Sequence, residues 1–195
     1  MAVKQRAFQG TLQSALPGIE VTTVGRVGDF DRALKGRPDA VLTLPVVLNA
    51  RGLPVSVRGR FQGSWSEPYV LLASDVAPEL VNVQRVGALD LLGRDGTNAF
   101  IAGLVGARPK AERVTKVEDL LPLLQLQRVD AILLAERLVD GLRLASRLLL
   151  TERILKTKVE LPAAASLSAA GAHILSALRE LPSDVCGALG VDEWD

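Results

Sequence analysis

Two stretches decide the fold: Arg32-Ala33-Leu34-Lys35-Gly36-Arg37-Pro38-Asp39-Ala40-Val41-Leu42, and Leu124-Gln125-Leu126-Gln127-Arg128-Val129-Asp130-Ala131-Ile132-Leu133. In each, residues of helical spacing run through a short turn into an Asp-Ala-apolar strand. The copies lie about ninety residues apart, too far for a solenoid repeat and suited to two lobes of similar build. The spacing therefore predicts an α/β chain of two similar lobes, with mostly parallel sheets flanked by helices.

Outward from the first copy, apolar positions between Lys4 and Leu16 share one helix face. Pro17-Gly18 stops that helix, and the β-branched run Ile19 to Val24 reads as a strand. Asp29 to Lys35 is a short helix ended by Gly36. The continuous apolar run 39–44 reads as a strand buried on both faces. Further strands are expected over 53–58 and 69–73, joined by the loop Gly63-Ser64-Trp65-Ser66.

A second set opens with a strand over 86–91, the turn Gly93 to Asn98, and an apolar helix from Ala99 to Val105. A short strand at 113–115 precedes a helix whose first turn must hold Pro122, so its cap lies near Glu118 or Asp119. The buried run 129–134, a helix over 136–144 and a strand near 148–152 follow. A last helix, 169–181, leads into a short polar tail.

The chain has 195 residues, 48% of them hydrophobic, enough for a sizeable core. Its 23 Lys and Arg nearly balance 22 Asp and Glu, and the basic residues are dispersed, which sets nucleic acid aside. One cysteine, Cys186, excludes an intrachain disulfide and a thiolate zinc cluster. Neither a signal-peptide core nor a long uncharged apolar stretch is present, so no direct membrane insertion is expected. No metal or other cofactor is called for. The lone His173 lies in an Ala-rich helix without a relay partner, and Cys186 has no neighbouring base, so no catalytic residue is assigned. Gly-Arg-Asp-Gly-Thr-Asn over 93–98 lacks the Lys-Ser/Thr of a P-loop and the glycine spacing of a dinucleotide fingerprint.

The order of elements resembles the type 2 periplasmic binding protein fold, especially the phosphate- and phosphonate-type substrate-binding proteins of ABC transporters. The likeness rests on Pro-Gly-Ile-Glu-Val at 17–21, Pro-Asp-Ala-Val-Leu at 38–42, Glu-Pro-Tyr-Val-Leu-Leu-Ala-Ser at 67–74 and Gly-Arg-Asp-Gly-Thr-Asn-Ala-Phe at 93–100. Two departures stand out. The family's first strand is short or missing ahead of Lys4, and the serine-rich anion loop of lobe two is absent. The resemblance implies lobe one from residues 1–74 plus about 155–195, lobe two from 75–154, and a small polar or anionic ligand between them. It also implies a membrane permease as partner, and a periplasmic or extracytoplasmic location if a leader was removed, otherwise a cytoplasmic one. A cytosolic sensing or regulatory domain of the same fold is the alternative, and an enzyme on this fold a third.

Two groups of residues are candidates for ligand binding. In the turn 93–98, Arg94 offers a charged fork and Thr97 a hydroxyl, with the amides of Gly96, Thr97 and Asn98 at the positive end of a helix. On the other lobe, Thr43, Ser64, Ser66 and Glu67 supply polar groups, with Trp65 and Tyr69 as flat walls. Glu136 and Arg137, just past the strand 129–134, stand where a doubly wound sheet contacts ligand.

Overall fold

Leu12 and Leu16 anchor the first helix, α1 (Ala2–Ala15), on a core that includes Val57, Leu161, Leu175, Leu178 and Trp194. The computed structural model describes residues 2–195, with side chains from residue 6 onward. Gly18, in the left-handed region at φ 79°, turns the chain out of α1. The strand expected over 19–24 joins no sheet. Its backbone is held by glutamine side chains of α1: Gln13 Oε1 accepts from the Val21 amide at 2.8 Å and Gln9 Oε1 from the Thr23 amide at 3.3 Å. β-Branched residues favour a pleated surface, but a strand also needs a neighbour, and here the helix supplies the partners instead.

The chain divides into two units. The first comprises Met1–Ser66 with Glu160–Asp195 and the second Glu67–Val159. Unit one continues through α2 (Val27–Lys35), β1 (Ala40–Thr43), α3 (Pro45–Asn49) and β2 (Val57–Arg60). Unit two carries β3 (Ser66–Ser74) from its second residue, β4 (Arg85–Leu89), α4 (Gly93–Val105), β5 (Lys110–Val114), α5 (Leu120–Gln125), β6 (Ala131–Ala135), α6 (Val139–Ala145) and all but the last residue of β7 (Leu150–Glu160). The chain then returns to unit one for β8 (Ala163–Ser166), α7 (Ala169–Arg179), α8 (Ser183–Leu189) and β9 (Glu193–Trp194).

Unit one holds a four-stranded sheet in the order β1-β8-β2-β9. Its ladders are antiparallel, where mostly parallel pairing was expected. The centre is β8, a strand of alanines that the sequence reading passed over. Small side chains suit it because α7 packs closely: a Cβ on Gly171 would lie 2.5 Å from Ser166 Oγ and 3.2 Å from Ser166 Cα, at the end of β8. As an edge strand, β1 buries Val41 in one apolar cluster and packs half-buried Leu42 against another, so both faces are covered but less completely than the unbroken apolar run suggested. The polar tail is instead structured, with Val185, Cys186, Val191 and Trp194 of the α8–β9 segment buried in the core.

Unit two holds a five-stranded sheet, β5-β4-β6-β3-β7. β5, β4 and β6 run parallel, and β3 lies antiparallel to β6 with Tyr69 opposite Ala135. Apolar clusters cover both faces. One contains Leu120, Leu121, Leu123 and Leu124 of α5 with Val139 and Leu142 of α6. The other contains Ile101, Leu104 and Val105 of α4. All five residues of β6 are buried between them, which explains the unbroken apolar run. Pro122 occupies the first turn of α5, with Asp119 at the N-cap position but making no cap hydrogen bond through its side chain.

The echo of the sequence is an echo of structure. Both helix-to-strand turns hold one residue in the left-handed region, Arg37 at φ 54° and Gln127 at φ 51°. The strands they lead into, β1 and β6, lie in separate sheets, β1 at an edge and β6 in the middle. The borders at 66/67 and 159/160 differ from those expected at 74/75 and near 154/155. The reason is that β3 and β7 are hydrogen-bonded neighbours in the unit-two sheet.

Candidate ligand site at the carboxyl edge of the unit-two sheet

Parallel strands β4 and β6 are adjacent, so the segments leaving their carboxyl ends, after Leu89 and Ala135, emerge side by side. At such an edge, loops and helix N-termini converge on one place, the usual ligand position in open α/β sheets. Because β3 runs antiparallel to β6, its first residues reach the same edge.

Past β4 comes Asp90, whose carboxylate organises the turn. Its Oδ1 accepts from Thr97 Oγ1 at 2.9 Å and its Oδ2 from Arg113 Nη1 at 2.8 Å. Thr97 Oγ1 in turn accepts from the Leu92 amide at 3.0 Å, and Thr97 is fully buried. Its hydroxyl therefore shapes the turn rather than standing free for a ligand. Helix α4 begins at Gly93, six residues before the expected Ala99, because Gly93 at φ 77° turns the chain directly into the helix. The amides left without an intrahelical carbonyl are then those of Gly93, Arg94 and Asp95. The amides expected to be free, those of Gly96, Thr97 and Asn98, fall inside the helical ladder. Gly96 is required for packing, since a Cβ there would lie 2.6 Å from Leu92 Cβ. Arg94 and Asn98 are exposed and, four residues apart, share a face of α4.

Past β6, Glu136 is half-buried and Arg137 reaches back to β3. Arg137 Nε donates to both carboxylate oxygens of Glu67, at 2.8 and 3.1 Å, and Glu67 is buried. Burial pushes the Glu67 carboxyl above its usual 4.5 even though Arg137 opposes the shift, and Glu136 adds to it. On the same face of β3, Tyr69 meets Phe100 of α4 edge to face at 6.1 Å. Burial, then the Glu67 charge, raises the Tyr69 phenol to about 12, so it remains a neutral donor.

The unit-one candidates form a separate group. Thr43 ends β1, half-buried and opposite Ala163. Gln62 and Gly63, at φ 50° and 76°, make a tight turn across which Phe61 and Ser64 exchange both backbone hydrogen bonds. Ser64 Oγ donates to the Ser66 carbonyl at 2.7 Å and accepts from its amide at 3.2 Å, so this hydroxyl is engaged locally. The Trp65 ring lies under the Arg60 guanidinium, 4.3 Å away, and its Nε1 donates to Asp195 at 3.3 Å. Ser66 is half-buried at the border between the units.

His173 is exposed on α7, and Cys186 is buried, its thiol raised chiefly by that burial. Among the described residues no group of three His, Cys, Asp or Glu side chains could hold a metal ion. Among the described residues no helix is long and apolar enough to cross a membrane. The sequence reading placed Glu136 and Arg137 together at a ligand-contacting edge but did not pair Arg137 with Glu67. The pair spans 70 positions, and no local pattern announces it.

No protein-family model matches the chain, and no curated protein sequence matches it. Solved structures do. XAC2383 from Xanthomonas citri bound to ATP is 14% identical, with 95% of this chain and 83% of that one aligned at a TM-score of 0.65. The BvgS VFT2 domain of Bordetella pertussis is 13% identical over 95% and 82%, at 0.60. An arginine-bound ArgBP variant from T. maritima is 16% identical over 90% and 83%, also at 0.60. At these identities the likeness is one of fold: a two-lobed α/β architecture of the periplasmic-binding-protein kind.

Proposed function

We propose that the chain is a solute-binding module whose two units close over a small polar ligand. The observation that carries this is the gathering of exposed Arg94 and Asn98, the free amides that open α4, and Glu136 at the ends of two adjacent parallel strands. The edge combines a positive helix end with carboxylates, a mixture suited to holding a polar molecule in one orientation. Thr43, Ser66 and Glu67 are assigned as contributors from β1 and the start of β3. The role we assign is binding, and neither the exposed His173 nor the buried Cys186 is given a part in it. In such a role the chain delivers its ligand to a membrane permease and works outside the cytoplasm. Arginine and ATP, carried by two of the structural neighbours, are the first compounds to try.

The test is a thermal-shift screen of polar metabolites headed by those two, followed by calorimetry of any hit with the Arg94→Ala variant. A charge-assisted contact is worth about 1.5–3 kcal/mol, so the substitution should weaken binding by roughly one to two orders of magnitude. The melting temperature without ligand should hardly move, because Arg94 is exposed. Undiminished affinity would remove Arg94 and the opening of α4 from the site.

A further inference from the structure

Around the start of β7, unit two exposes four aliphatic side chains: Leu144 is 91% exposed, Val76 75%, Leu149 69% and Ile154 54%. They come from segments that the structure ties together. The Asp75 amide donates to the Leu149 carbonyl at 2.9 Å and Arg153 Nη1 to the Pro78 carbonyl at 3.5 Å, while Arg143 of α6 reaches Glu152 of β7 at 3.0 Å. Asp75, at φ 67°, makes a one-residue turn closed by the Val76 amide on the Ser74 carbonyl at 2.8 Å, and this turn holds Val76 in its exposed position. β7 is also an end strand of its sheet, with β3 as its one strand neighbour among the described residues. Exposed apolar groups therefore lie beside an open strand edge, two features that folded chains cover when they have a partner.

The charges around this group select the partner. Arg143 is already matched by Glu152. Asp75 and Arg147 are exposed, and among the described residues neither side chain has a partner. Asp75 adjoins Val76, and Arg147 lies two residues before Leu149, so one unpaired charge of each sign stands beside the apolar group. A membrane surface of one sign would gain from only one of them. A second copy of the chain gains from both: across a two-fold axis residue i meets j and j meets i, so each Asp75 faces the Arg147 of the other copy. A net charge of +1 sets no long-range repulsion between copies.

We propose that this surface is a two-fold self-association face, with Leu144, Leu149, Val76 and Ile154 as its apolar centre and the Asp75 to Arg147 contact, made twice, setting its register. The face lies within unit two and does not rest on the binding role. Four aliphatic side chains make a small interface, so association should be weak, with a dissociation constant between about 1 μM and 1 mM.

The test is sedimentation velocity of the full chain, without ligand, across that concentration range. The wild type should pass from monomer to dimer. Leu149→Asp, at an exposed position that spares the fold, puts a charge in the apolar centre and should stay monomeric. Arg147→Asp sets Asp against Asp twice, and Asp75→Lys sets Lys against Arg twice, so each alone should weaken the dimer by roughly tenfold or more. Mixing those two variants should restore association to near the wild-type level, because in the mixed pair both contacts join opposite charges. A wild type that stays monomeric throughout would overturn the proposal, as would a dimer that survives Leu149→Asp. A mixture that associates no better than either variant alone would overturn the two-fold contact. None of these measurements uses a ligand, so a failure to bind any solute counts against the binding role and leaves this result standing.

Discussion

A Thr97→Val substitution keeps the shape of the side chain and removes the hydroxyl that links Asp90 to the Leu92 amide. Both partners then lose a hydrogen bond at a buried position, and stability should fall by about 1–3 kcal/mol in denaturant unfolding. Wild-type stability in that variant would mean that the turn after β4 is held by Arg113 and Asp90 alone. The same residue shows how a sequence motif misleads. Gly-Arg-Asp-Gly-Thr-Asn offers hydroxyl, amide and guanidinium groups on paper, but the early helix start turns Thr97 inward and leaves Arg94 and Asn98 on the surface.

At the scale of elements, Asp130 joins the amino ends of two strands. Its Oδ2 accepts from the Gln84 and Arg85 amides at 2.9 and 2.8 Å, and Arg85 Nη2 reaches Oδ1 at 3.1 Å. Burial alone would raise this carboxyl, but the two amides and the Arg85 guanidinium outweigh it and hold it below its usual 3.8. A carboxyl lowered in the folded state stabilises the fold above its unfolded value, and that contribution is lost as pH falls through the folded value. Asp130→Asn should therefore cost about 1 kcal/mol at neutral pH, the figure for a charged hydrogen bond discounted for a partly exposed site. The difference from wild type should shrink below pH 3.8. A loss of equal size at every pH would assign the effect to shape rather than charge.

The elements legible in the sequence were those whose signal is local. β6 shows as an unbroken apolar run because helices cover both its faces, and α5 shows through the placement of Pro122. The illegible ones depend on distant neighbours. β8 is a strand of small residues because α7 presses on it. The segment 19–24 has strand composition without a strand partner, and β9 owes its place to pairing with β2. At the candidate site, Glu67 and Glu136 were readable by position, whereas Arg137's hold on Glu67 exists only once β3 and β6 pair.

For the molecule as a whole, two units with separate sheets, each built around the same helix-turn-strand segment, make a fold shared with two-lobed binding proteins. In the proposed binding role a ligand would favour one arrangement of the units over another, and their closure would follow its concentration. The most direct measurement is the Lys35→Cys to Thr115→Cys spin-label distance, recorded with and without a compound from the thermal-shift screen. The account predicts a saturable shift to a single, narrower distance, with a midpoint that moves to roughly ten- to hundredfold higher concentration in Arg94→Ala. A distance distribution unchanged at saturating ligand would contradict it.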